Sequence, residues 1–185
     1  MRATQPAFIH AVRADLRITA ARRGERFEFT SRLDMTIQAV RLCIVSDAFL
    51  SQVCYRAKVG LQRRRVPLLP RLFHRLAIAT GQICIGDPVV VEPGVYLPHG
   101  QVVIDGLTHV GERVVIAPFV TIGLLAGDFR SPTIGVGASL GTGAKVLGPV
   151  TIGAGAQIGA NAVVVSDVPP GRVAVGVPAR IVGES

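Results

Sequence analysis

Residues 134–169 read, six at a time, IGVGAS, LGTGAK, VLGPVT, IGAGAQ, IGANAV and VVSDVP. The first place of every six is apolar: Ile134, Leu140, Val146, Ile152, Ile158 and Val164. The fifth place is always small or β-branched: Ala138, Ala144, Val150, Ala156, Ala162 and Val168. Neither helical periodicity nor strict alternation produces two sets of positions that each recur every six residues. A hexapeptide repeat is typical of a parallel β-helix, in which three sixes make one turn and the first residue points inward.

The repeat extends upstream and is irregular at two places. Apolar residues recur every six at Ile85, Val91 and Leu97, and again at Ile104, Val110, Ile116 and Ile122. One extra residue separates Leu97 from Ile104, within the segment Pro98-His99-Gly100-Gln101. Between Ile122 and Ile134, Asp128 takes an inward position, and we expect an extruded loop because a buried unpaired carboxylate is costly. Functional groups concentrate on loops held by a rigid scaffold, so these two irregularities predict the site.

The first 80 residues have a different pattern. Apolar residues at helical spacing predict helix from about residue 34 to 61, and Pro70 begins a second helix that runs to about Ala79. Residues 1–30 show no clean period and are interpreted as a partly ordered arm. We therefore predict a basic, mostly helical region 1–80, a β-helix 81–168 and a tail 169–185 with a short apolar strand over 179–182. Both flanks would cap the solenoid.

Composition limits the class of protein. Apolar residues make up 49% of the 185 residues and charged residues 17%, which is ample for a core. No apolar run approaches the roughly 18 residues of a spanning helix, and arginines interrupt the N-terminus, unlike a signal peptide. Three scattered cysteines, at 43, 54 and 84, show no CxxC spacing and predict reduced thiols. We expect a cytoplasmic protein.

Positive charge is concentrated in the N-terminal region. Residues 1–80 hold 15 Lys and Arg against 5 Asp and Glu, a net charge of +10, and residues 81–185 hold 5 against 7. The run Arg63-Arg64-Arg65, with Arg56, Lys58, Arg71 and Arg75, permits three interpretations. It is a solvated basic face, a peripheral contact with an anionic membrane or lipid-linked sugar, or a nucleic-acid surface. No recognition motif accompanies the charge, so we do not expect nucleic acid as a partner.

Several motifs resemble a known family. Four features are similar to the hexapeptide-repeat acyltransferases. They are the six-residue repeats, the His-Gly step after a coil strand, the loop ending RSPTIG and the tail DVPPGRVAVGVPARIVG. Within them the serine O-acetyltransferase group, with its relatives that acetylate polysaccharide sugars, matches residues 81–183 best. The resemblance implies a left-handed β-helix, acetyl-CoA as acyl donor, no metal, and a homotrimer whose active sites are shared between subunits.

The resemblance also implies roles for individual residues. His99 matches the catalytic general base, which removes a proton from the acceptor hydroxyl while coil amides stabilise the oxyanion. Arg130 matches an arginine that binds the acceptor's carboxylate, and Asp47 lies near a substrate-binding aspartate. The positions that match coenzyme A contacts are Gly123, Gly141, Thr142, Ala160 and Arg180.

Three positions depart from the pattern of the serine enzymes. Cys84 takes the place of the aspartate that pairs with the base, Pro98 precedes the histidine in place of Asp, and Ser131 replaces a second histidine. Without a carboxylate partner the imidazole would be poorly oriented, and Asp87 or Glu92 are the candidate substitutes. These departures favour a sugar or other hydroxyl acceptor over free serine.

Alternatives remain open at this point. The chain is an O-acetyltransferase, a serine acetyltransferase in the narrow sense, or a degenerate trimeric scaffold that no longer catalyses; transfer to an amine is a further option. A zinc enzyme on the same solenoid would need three protein ligands, whereas the repeat contains only His99 and His109. His109 falls in a regular six, which predicts a structural or surface role.

Overall fold

The computed structural model describes residues 5–182 and consists of helices followed by short strands. The helices are α1 (Phe8–Arg22), α2 (Arg32–Val45), α3 (Phe49–Arg63) and α4 (Leu69–Gly81). The strands are β1 (Ile83–Ile85), β2 (Val90–Val91), β3 (Val102–Ile104), β4 (His109–Val110), β5 (Val115–Ile116), β6 (Thr121–Gly123), β7 (Thr133–Ile134), β8 (Ser139–Leu140), β9 (Lys145–Leu147), β10 (Thr151–Ile152), β11 (Gln157–Ile158), β12 (Val163–Val164), β13 (Val173–Val175) and β14 (Arg180–Ile181).

The strands form the three faces of the predicted left-handed parallel β-helix. Face 1 stacks β1-β3-β6-β9-β12, face 2 stacks β2-β4-β7-β10, and face 3 stacks β5-β8-β11-β13-β14. One turn takes 18 residues, since Thr133 pairs with Thr151. The first turn takes 19, since Ile85 pairs with Ile104, and this accommodates the extra residue beside His99. The fold class predicted from the repeat is confirmed.

The core is the column of first-place residues together with its small neighbours. Ile134, Leu140 and Ile152 are fully buried, and so are Ala138 and Ala156. Residues 124–132 leave the coil between β6 and β7, as the position of Asp128 predicted. The last strand, β14, runs antiparallel to β13 and ends the parallel stack.

The helical region differs from the prediction in two respects. Residues 8–22, which showed no clean period, form α1, whose Leu16 and Ala20 are buried against Leu42 and Phe49. The helix predicted over 34–61 is two helices, because the backbone at Ser46 is extended. The apolar positions continue through this break, so the pattern contains no sign of it.

One face of α3 closes the open end of the coil. The first turn has no preceding turn to bond its carbonyls, and side chains of α3 donate to them instead: Gln52 to Val95, Tyr55 to Val89, Arg56 to Val91 and Glu92, and Lys58 to Ile85. Burial raises the pKa of Tyr55 to about 12, so its phenol keeps the proton that it donates. Arg56 and Lys58 are 3% and 1% exposed. Their assignment to the basic surface was therefore wrong.

Candidate active site

The inserted residue in the first turn forms the corner that carries His99. At this corner Gln101 has a positive φ of 64° and donates its N–H to the carbonyl of Gly81, at 2.9 Å. A Cβ on Gly100 would lie 1.6 Å from that carbonyl oxygen, and a Cβ on Gly81 would lie 2.9 Å from the carbonyl oxygen of Asp47. The two glycines therefore let the corner, the end of α4 and the α2–α3 junction pack backbone to backbone.

This packing brings His99 against Asp47. The Nδ1 atom of His99 lies 2.7 Å from Oδ2 of Asp47, and both side chains are exposed. A carboxylate can only accept, so Nδ1 carries the hydrogen and Nε2 is the nitrogen free to take a proton. The missing partner of the histidine is thus supplied by Asp47, which the sequence analysis assigned to substrate binding. The prediction that the imidazole lacks a carboxylate was wrong.

A cleft of about 540 Å³ surrounds this pair. Asp47 and His99 lie on its wall with Thr80 and Gln82 from the end of α4, and with Phe119 from the next corner. Sequence analysis missed Phe119, which is 54% exposed and has a positive φ of 64°. The sequence signal that could have identified Phe119 is its position as an aromatic residue directly after Pro118, at a corner of the repeat.

The corners between face 3 and face 1 stack into one edge, which we call the His99 edge. Backbone bonds join Phe119 to Gln101, Gly143 to Pro118 and Asn161 to Thr142, each at 2.8–2.9 Å. Residues with positive φ recur along it at Gln82, Gln101, Phe119, Gly143 and Asn161.

The predicted coenzyme A positions divide between this edge and other parts of the coil. Gly141, Thr142 and Ala160 lie on the His99 edge, and Thr142 and Ala160 are exposed. Gly123 lies at the opposite end of face 1, where Gly148 donates to its carbonyl. Arg180 lies in β14 at the closed end of the coil and is exposed. An elongated ligand along the His99 edge could therefore contact three of the five directly.

Arg130 does not meet His99 within one chain. It lies in the extruded loop, where its guanidinium pairs with Asp128 at 2.7 Å and holds the pKa of that carboxyl below its ordinary value. The chain enters face 1 at His99 and leaves it at this loop, so the two lie at opposite ends of the face. Ser131, in place of the second histidine, accepts the N–H of Leu107 at 2.7 Å and anchors the loop.

The other candidates have structural partners. Asp87 pairs with Lys58, and Glu92 pairs with His109 at 3.1 Å on face 2, so neither substitutes as the partner of His99. Cys84 lines a separate cavity beside α4. Within residues 5–182, no group of three His, Cys, Asp or Glu side chains is placed to hold a metal ion.

Comparisons with known proteins give a consistent result. No protein-family model matches the chain. The serine acetyltransferase of Helicobacter pylori J99 is 40% identical over 134 residues, which are 70% of this chain and 78% of that protein. The serine acetyltransferase of Synechococcus elongatus is 35% identical over 149 residues, 79% of this chain and 60% of that protein. The chain therefore spans about three-fifths to four-fifths of the length of these relatives.

Solved structures share the fold over nearly the whole chain. Neisseria gonorrhoeae serine acetyltransferase in complex with serine superposes with a TM-score of 0.77 at 28% identity, over 94% of this chain and 68% of that one. Brucella abortus serine acetyltransferase in complex with coenzyme A gives 0.81 at 25% identity, over 97% and 69%. Together with the His99–Asp47 pair, these likenesses establish that the chain belongs to the serine acetyltransferase family.

Proposed function

We propose that the protein transfers an acetyl group from acetyl-CoA to the hydroxyl of serine. The observation that carries this proposal is the contact of Asp47 with His99 Nδ1, which leaves Nε2 as a base in an open cleft. The relatives and solved structures that bear the name serine acetyltransferase support the same reaction.

The proposed reaction needs one proton acceptor and one leaving group. His99 Nε2 removes the proton of the acceptor hydroxyl as that oxygen attacks the thioester carbonyl. The tetrahedral intermediate then collapses, the carbon–sulfur bond breaks, and the thiolate of coenzyme A takes the proton from the imidazolium. Asp47 accepts a hydrogen bond from Nδ1 and stabilises the imidazolium between these steps. Coil amides would stabilise the oxyanion.

The donor would lie along the His99 edge. This edge presents the exposed residues Thr142 and Ala160, on the same edge as the corner that carries His99. Such an arrangement suits the extended pantetheine arm of acetyl-CoA, whose amides can pair with backbone groups. Arg180, in β14 at the closed end of the coil, would contribute positive charge for the nucleotide end.

Serine is favoured over a sugar as the acceptor. The preference for a sugar rested on the departures at Cys84, Pro98 and Ser131, and Asp47 removes the first of them by supplying the carboxylate. A structure of a similar enzyme, that of Neisseria gonorrhoeae, contains serine. Arg130 would bind the acceptor's carboxylate, as the family resemblance implies.

We further propose that the active unit is a trimer in the cytoplasm, with its basic N-terminal region against the inner face of the membrane. A site containing both His99 and Arg130 requires two copies of the chain, because one chain holds them at opposite ends of face 1. Phe129, beside Arg130, is 85% exposed, which supports burial of this loop against a neighbouring subunit.

The experiment is free-thiol release from acetyl-CoA with serine, homoserine and amino or uronic acid sugars as acceptors. Release with serine alone supports the proposal. Release with a sugar alone would overturn the choice of acceptor. No release with any acceptor, together with no binding of coenzyme A, would favour a scaffold that no longer catalyses.

A further inference from the structure

The α3–α4 corner combines positive charge with exposed leucines. Residues 48–86 contain seven Lys and Arg and no Asp or Glu. Two of the seven, Arg56 and Lys58, cap the coil, and Arg63 donates to the carbonyl of Gln5. Among residues 5–182, no carboxylate forms an ion pair with the remaining four arginines, which are Arg64, Arg65, Arg71 and Arg75. All four are exposed.

The leucines of this corner follow one face of α4. Leu68, Leu72 and Leu76 are 75%, 55% and 39% exposed, at helical spacing. Leu68 has a positive φ of 62°, a conformation that is unfavourable for a leucine, and it precedes the first turn of α4. The backbone therefore presents the most exposed of these side chains at the tip of the corner.

An apolar groove of about 720 Å³ continues this face on one side. Phe8, Leu69 and Phe73 line it together with Arg63 and Arg64. On the other side Arg71 and Arg75 flank the leucines, one helical turn apart. Apolar side chains bordered by unpaired arginines are the pattern of a helix that lies in a bilayer interface.

A second exposed apolar stripe, on α2, lacks this charge. Leu33, Ile37 and Ile44 are 69%, 59% and 79% exposed. Two of the arginines near it are neutralised, since Arg26 pairs with Asp34 and Arg41 pairs with Glu25. Among residues 5–182, Arg32 is the one arginine of α2 that forms no ion pair. Both helices thus expose apolar side chains, but the α2 stripe has one arginine without an ion pair among the described residues, whereas the α3–α4 corner has four, which favours an anionic surface at that corner.

We infer that the α3–α4 corner, residues 63–76, docks on an anionic lipid bilayer, with its leucines among the acyl chains and its arginines at the phosphates. This inference rests on the proposed membrane contact and names the surface and the lipid chemistry that make it. No single helix among the described residues has the length and hydropathy to span a membrane, and α2 with α3 meets that test only as a pair bent by 117°. Docking at the interface needs no spanning helix. Because Thr80, in the last turn of α4, lines the cleft at His99, docking also orients the cleft relative to the bilayer.

Vesicle flotation of the full-length protein tests this inference. We expect the protein to float with vesicles of mixed phosphatidylcholine and phosphatidylglycerol, and to remain in solution with phosphatidylcholine alone. Leu68→Asn combined with Leu72→Gln should weaken binding at least about tenfold, since the leucines supply the apolar contact. Asn is chosen at 68 because it tolerates positive φ. Arg64→Gln should weaken binding about fivefold.

The matched control is Ile37→Gln with Ile44→Gln on α2, which removes equally exposed apolar side chains and should leave binding unchanged. Equal loss in the control pair would overturn the assignment to the α3–α4 corner. Binding that depends on the arginines but not on the leucines would show a polyanion surface instead of a bilayer contact. Thiol release by the same variants, measured without vesicles, should equal that of the wild type, so failure of the membrane inference is distinguishable from failure of the proposed reaction.

Discussion

Asp47 and His99 are 52 residues apart in the chain, yet their side chains meet at 2.7 Å. Asp47 comes from the junction of α2 and α3, and His99 comes from a corner of the coil. The helical region is therefore part of the candidate active site as well as a cap, because it supplies the carboxylate that the coil lacks at Cys84.

Asp47→Asn should lower kcat at least about tenfold, because the amide offers a weaker acceptor and a competing donor to Nδ1. The KM for acetyl-CoA should be unchanged, since the donor positions lie further along the His99 edge. Steady-state kinetics with serine separates the two constants. An unchanged kcat would show that Asp47 does not position the base.

His99→Ala should lower the rate of thiol release at least about 10²-fold, the usual effect of losing a general base. His109→Ala is the matched control, because His109 pairs with Glu92 on another face and should retain full activity. Equal activity of the two variants would contradict the assignment of the base.

Gly100→Ala should destabilise the fold by at least about 2 kcal/mol, because the new methyl group would collide with the carbonyl of Gly81. Gly123→Ala is the control for stability, since a Cβ there meets no atom within 4 Å. The chain has no Trp, so urea unfolding is best followed by circular dichroism. Equal midpoints for the two variants would contradict the close contact at the corner.

Arg56→Met should lower the free energy of unfolding by about 3–5 kcal/mol, because it leaves the buried Asp15 without its cation. Arg56 Nε lies 2.8 Å from Asp15 Oδ2, and two carbonyls of the first turn would also lose their donor. Arg17→Met, on the exposed side of α1, should change stability little. An equal loss of unfolding free energy in Arg17→Met would show that removal of a positive charge, and not loss of the Asp15 contact, causes the destabilisation.

Mixed trimers test whether the site is shared. His99→Ala and Arg130→Ala should each be nearly inactive alone, whereas subunits mixed after dissociation should regain part of the activity. In a mixed trimer one interface can combine the intact His99 of one copy with the intact Arg130 of another. Activity that stays at the level of the separate variants would contradict a shared site.

The repeat made the coil predictable and the helices only partly so. The apolar residues that recur every six positions determine the faces of the coil. Both irregular segments were located from the sequence, one by the extra residue near His99 and the other by the charge at Asp128. The break at Ser46 could not be predicted, because the apolar spacing continues through it. The helix over 8–22 could not be predicted either, because its apolar residues show no clear helical period. Asp47 was found as a candidate only through the resemblance. Its contact with His99 depends on Gly81 and Gly100, whose close approach is a tertiary effect.

The 18-residue turn has a consequence for the length of the coil. Each turn bonds only to its neighbours, so a complete turn can be added or removed between β9 and β12 without altering the residues around His99. A change that is not a multiple of six would rotate inward side chains onto the surface unless a corner accommodates it, as the corner at His99 accommodates one extra residue. Evolution and design can therefore lengthen the His99 edge in whole turns while the corner at His99 stays the same.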